Sequence, residues 1–111
     1  MTRADLPFGT QCCQVAHAAL DFAIAFPVLT ADWHASANTL VVLAVRDELA
    51  LSWMGQDAEA ASLAVVKVHE PDLGGALTAI AVEPAGWRLL RGVPKAFASD
   101  PSFRSVLGGG D

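Results

Sequence analysis

Leu63-Ala64-Val65-Val66-Lys67-Val68-His69-Glu70-Pro71-Asp72-Leu73-Gly74-Gly75-Ala76-Leu77-Thr78-Ala79-Ile80-Ala81-Val82 consists of two apolar runs separated by a proline, an aspartate and a pair of glycines. Short apolar runs rich in β-branched residues and bounded by turn residues read as strands. The stretch therefore predicts one strand from about Leu63 to Val68 and another from Leu77 to Val82, stopped by Pro84. Their short, glycine-containing connection lets them pair as a hairpin. Upstream, Thr39-Leu40-Val41-Val42-Leu43-Ala44-Val45 is continuously apolar, the pattern of a strand buried on both faces. Strands of that kind need helical cover on each side. The expected architecture is α/β, a single layered domain with a mixed β-sheet and helices on both faces.

The helices are read from their punctuation. Thr10 is an N-cap candidate for a helix running to about Phe26, where Pro27 ends it, and a second spans Val28 to about Ala37 before Asn38. Asp47 caps a third helix to about Ala61, with Leu49, Trp53 and Met54 as candidate core contacts. Gly86 to Gly92 forms a short helical turn ended by Pro94. No periodic signal follows Ala98, so residues 1–97 are expected to form the domain and 98–111 a flexible tail.

Composition narrows the class. With 111 residues, 53% of them hydrophobic, the chain suffices for one core and one domain. No apolar run approaches the roughly 20 residues of a membrane-spanning helix, and the N-terminus lacks a signal-peptide pattern. A cytoplasmic protein without membrane association is expected. Cys12 and Cys13 are adjacent, so neither an unstrained disulfide nor a complete zinc site follows from them. They read as reduced, buried packing residues, with a catalytic thiol as the alternative. His34 and His69 read as surface residues, and no metal or organic cofactor is implied. The net charge of −5 argues against broad nucleic-acid binding. Yet four of the seven basic residues, Arg88, Arg91, Lys95 and Arg104, fall in the last quarter of the chain, where they could form a local basic face.

Two polar patches stand out from this apolar background. In Gly9-Thr10-Gln11-Cys12-Cys13-Gln14-Val15-Ala16-His17-Ala18-Ala19, helical spacing aligns Gln14, His17 and Asp21 on one face. The second patch, Glu70 to Ala81, sets Asp72 and Thr78 around a glycine turn. Arg3-Ala4-Asp5-Leu6-Pro7, Gln14-x-x-His17-Ala18-Ala19, Asp72-Leu73-Gly74 and Thr78-Ala79-Ile80-Ala81 together resemble the type 2 peptidyl-tRNA hydrolase family, and more closely its short bacterial members. The likeness runs from about Arg3 to Phe97.

That resemblance implies hydrolysis of the ester between a peptide and tRNA, with His17, Asp72 and Thr78 as catalytic residues. It also implies that Gln14, Gly74, Arg88, Arg91 and Lys95 bind substrate. An imidazole can act as base or orient a water near neutrality. Asp72 would fix that imidazole or polarise the water, unless it only bonds within its own turn. Gln14 would donate to substrate or hold the helix to the turn. Two departures from the family pattern matter. Relatives begin with an apolar strand that ends just before Arg3, whereas Met1 and Thr2 alone precede it here; unpaired strand edges and a homodimer are the expected consequences. Leu6 to Gln11 also lacks the lysines that relatives carry there. The rival expectation is a non-catalytic family member that uses the same scaffold as a binding module.

Overall fold

A computed structural model describes residues 1–97. The expected tail, including Arg104, lies outside the described residues. In chain order the elements are β1 (Thr2–Arg3), α1 (Phe8–Ala25), α2 (Pro27–Ser36), β2 (Ala44–Val45), α3 (Glu48–Ala60), β3 (Val65–Glu70), β4 (Ala76–Val82) and α4 (Trp87–Leu90). Turns of 3-10 helix occupy Pro71–Leu73 and Pro84–Gly86. The sheet is mixed and four-stranded in the order β2-β1-β4-β3, with β1 parallel to β2 and antiparallel to β4. β3 and β4 pair antiparallel, as their sequence predicts. Gly74 and Gly75 take φ values of +67° and +80° between them, a left-handed path that favours glycine.

The hairpin is not a plain ladder. Val68 pairs with Ala79 but His69 pairs with Leu77, so Thr78 is an extra residue on β4. A bulge of this kind interrupts the alternation of side chains between the two faces. Leu77 and Ile80 consequently enter one core cluster with Leu51 of α3. Ala79 joins Ala18 of α1 and Val68 in the other. Helices thus cover both faces, and alanine on both sides of the α1 contact lets that helix lie close to the sheet.

Several expectations need correction. The strand foreseen over Thr39–Val45 shrinks to Ala44–Val45, with Leu43 forming a single bridge to Lys95. Leu40 is 65% exposed and Val41 is exposed, not buried. The neighbouring strand β1 is only two residues long, so the backbone upstream of Leu43 has no β1 partner to pair with. α1 starts at Phe8 after Pro7, which makes no side-chain cap, so Thr10 sits inside the first turn rather than at its cap. Cys12 and Cys13 are exposed free thiols, not core residues. On α3, Asp47 caps as expected by accepting from the Ala50 N–H at 3.0 Å. The residues of that helix that are buried are Leu51, Gly55 and Ala58, whereas Leu49 and Trp53 are exposed and Met54 is half-buried. No single helix of the described residues is long and apolar enough to cross a membrane.

Met1 exchanges hydrogen bonds with Ile80. Its ammonium donates to the Ile80 carbonyl at 2.7 Å, and the Ile80 N–H donates to the Met1 carbonyl at 2.9 Å. In line with β1, between β4 and residues 40–43, runs an apolar groove of about 630 Å³ walled by Phe22, Trp33, Leu40, Val42 and Trp87. Burial pushes the Met1 ammonium down from its ordinary 8.0 to about 6. The unfolded chain therefore holds this proton over a range where the folded chain has lost it, and stability rises with pH through that window. We expect this chain to gain on the order of 2 kcal/mol between about pH 6 and pH 8 in urea unfolding. Acetylation of the Met1 amine should remove that part of the slope. Gly86 sets a second expectation, because a Cβ there would meet Val82 Cγ1 at 2.7 Å and Leu63 Cδ1 at 3.2 Å. Gly86→Ala should cost about 1–3 kcal/mol in the same assay, through overpacking.

Candidate functional site

Because β1 and β4 run in opposite directions, the end of β1, the start of α1 and the hairpin turn meet at one end of the sheet. Arg3 marks the junction. Its Nη1 donates to the Leu77 carbonyl at 3.1 Å while its Nε and Nη2 grip both oxygens of Asp5 at 2.9 and 2.8 Å. The guanidinium hydrogen bond holds the Asp5 carboxyl below its ordinary range. Across the sheet, Glu48 at the start of α3 accepts from the Leu77 N–H at 2.7 Å. The first residues of β4 are thereby tied to β1 on one side and α3 on the other.

The bulge turns Thr78 toward α1. Its hydroxyl donates to Gln14 Oε1 at 2.7 Å and lies 3.3 Å from the Val68 carbonyl. Its own carbonyl accepts from the Thr2 hydroxyl at 2.9 Å. Gln14 is 5% exposed, and its Nε2 donates to Glu70 Oε2 at 3.1 Å. Glu70 Oε1 accepts from the Asp72 N–H at 3.1 Å, which caps the 3-10 turn. A continuous relay therefore runs Thr78–Gln14–Glu70–Asp72, joining both sequence patches. Glu70 titrates below the ordinary carboxylate range, first because of the Asp72 N–H, then through the Gln14 amide and the nearby charge of His17.

The predicted site residues divide into two groups. His17 is exposed on α1, one turn beyond Gln14, and Asp72 is exposed on the hairpin turn. Among the described residues neither a hydrogen bond nor an ion pair joins these two, and the nearby charge of His17 acts on the Glu70 carboxylate. Thr78 is fully buried, so its hydroxyl reaches the surface only through Gln14. The Gly74 and Gly75 amides bond to the carbonyls of Pro71 and Glu70 at 3.1 and 3.0 Å, inside the turn. Arg88 lies within α4 and Arg91 at its C-cap, beyond the opposite end of β4, and Lys95 lies on the β2 edge. All three are exposed, and among the described residues they form no ion pair with a carboxylate. Lys67 is paired with Glu59.

His34 and His69 are exposed, as expected, and His69 donates through Nδ1 to the Gly75 carbonyl at 3.1 Å. No cluster among the described residues has the donors to hold a metal. Glu70 is the site residue that the sequence patterns left without a role. Its signal was present, since an acidic residue two before Asp72 and directly ahead of a proline is placed to cap a turn. The family model for peptidyl-tRNA hydrolase PTH2 matches residues 2–98 of the chain. No curated protein matches it. The relay sets a stability expectation, because removing one partner leaves a buried group unpaired. Thr78→Val should cost about 1–3 kcal/mol in denaturant unfolding. Combining it with Gln14→Leu should cost less than the two single changes added together, as expected for partners in one bond.

Proposed function

Because the chain belongs to the PTH2 family of peptidyl-tRNA hydrolases, we propose that it cleaves the ester between a peptide and the ribose of a tRNA at the end of the sheet where His17 and Asp72 emerge. The relay through Thr78, Gln14 and Glu70 carries this reading, since it holds the imidazole-bearing helix and the aspartate-bearing turn together. His17 takes a proton from a water that attacks the ester carbonyl, and returns it to the ribose oxygen as that bond breaks. The products are a peptide carboxylate and a tRNA hydroxyl. Asp72 orients the water. Gln14 and Thr78 act as positioning residues rather than touching the carbonyl.

Charge supports the second reading, a non-catalytic binding module. At this end of the sheet Arg3 is engaged with Asp5, and Glu70 and Asp72 add two more carboxylates beside Gln14 and the hairpin turn. The exposed cations Arg88, Arg91 and Lys95 stand at the other end or on the sheet edge, within reach only of an extended RNA. Hydrolysis should therefore be strongly salt-sensitive. His17→Ala and Asp72→Ala should each lower kcat/KM for a peptidyl-tRNA by about 100-fold or more without altering the unfolding midpoint. Arg88→Ala with Arg91→Ala should raise KM and flatten the salt dependence. Folded protein that shows no turnover above background at low salt would replace the hydrolase with the binding module.

A further inference from the structure

The geometry points to Glu70 as the positioning residue of this site, the carboxylate that ties the Gln14 amide of the helix bearing His17 to the turn bearing Asp72. The assignment rests on the hydrolase reading for its catalytic meaning, but not for its physical content. Each oxygen of Glu70 has a separate duty. Oε2 takes the Gln14 amide at 3.1 Å and Oε1 takes the Asp72 N–H at 3.1 Å. The first bond fixes which way the Gln14 amide points. With Nε2 committed to a carboxylate, which only accepts, Oε1 must face the hydroxyl of Thr78, as it does at 2.7 Å. The second bond fixes the start of the turn that carries Asp72.

Among the described residues, Glu70 is thus the one side chain bonded both to the helix that bears His17 and to the turn that bears Asp72. Around it, α1 presents His17, the turn presents Asp72, and β4 carries no titratable side chain between Ala76 and Val82. The Glu70 carboxylate is held below its ordinary range first by the Asp72 N–H and then by the Gln14 amide of α1, and the charge of His17, on the same helix, adds a smaller attraction. Asp72 then keeps its own carboxylate free for solvent or substrate, because the turn is held by its backbone N–H. Two acidic residues of one loop take different tasks, one structural and electrostatic, the other chemical.

The test follows the Asp72 backbone amide and the Gln14 side-chain amide by ¹H–¹⁵N NMR while acid is added. Both signals should report the Glu70 titration, below the ordinary carboxylate range. In His17→Gln, a change at an exposed position that leaves the fold intact, the same transition should move upward, because the attracting imidazolium is gone. A purely structural glutamate would titrate identically in both proteins, and that result would overturn the proposal. Peptidyl-tRNA hydrolysis gives a second readout, in which Glu70→Gln should lower kcat with KM unchanged. A Glu70→Gln variant that hydrolyses as the parent does would also overturn it. If the NMR transition moves but no form of the protein hydrolyses peptidyl-tRNA, the tie through Glu70 stands and the hydrolase reading fails.

Discussion

The hydroxyl of Thr78 reaches Gln14 only because β4 carries an extra residue at that point, and the placement of α1 over the sheet follows from the bond they make. Without the bulge, Thr78 would share the α3 face with Ile80, burying a polar side chain beside Leu51 and Ile80 and turning Leu77 away from that cluster. With it, every polar atom of the pair finds a partner, and no buried side-chain nitrogen or oxygen among the described residues is left unpaired. The energetic asymmetry of hydrogen bonding makes this arrangement selective: forming such a bond stabilises modestly, but leaving one buried partner alone costs more. A helix rotated or shifted by one residue would pay that cost at Gln14 and at Thr78 together.

The sheet around this point is uneven in strength. β3 and β4 form a long paired ladder, whereas β1 contributes two residues between β4 and β2. Thr2 nonetheless holds the centre, because its N–H donates to the Leu43 carbonyl at 2.9 Å and its hydroxyl to the Thr78 carbonyl at 2.9 Å. The apolar groove in line with β1 and the exposed run at Leu40 and Val41 share one cause. Side chains suited to a covered strand lie beside a place where no strand runs in this structure.

Electrostatics divides the molecule as well. Around the polar relay the charges are mainly carboxylates, restrained by Arg3, by backbone N–H groups and by His17. The exposed cations Arg88, Arg91 and Lys95 follow β4 in the chain and lie away from the relay. Such a separation disfavours a compact anion at the relay.

The hairpin, the capped helix at Asp47 and the existence of two polar patches, one at Gln14–His17 and one at Asp72–Thr78, were determined by the sequence itself, because turn residues, caps and apolar periodicity act over a few neighbours. The run Thr39–Val45 shows where that locality ends: its residues suit a buried strand, but only Ala44 and Val45 have a neighbour to pair with. Likewise, helical spacing placed Gln14 and His17 on one face, yet burial took Gln14 and left His17 exposed. The bridging role of Glu70 belongs to the tertiary structure. A carboxylate beside a proline caps its own turn by local geometry, but its second oxygen meets Gln14, 56 residues away in the chain, only when α1 packs across the hairpin. Local propensities do not encode such a contact, because it depends on where a one-residue bulge sends Thr78 and on how closely alanines let the helix approach.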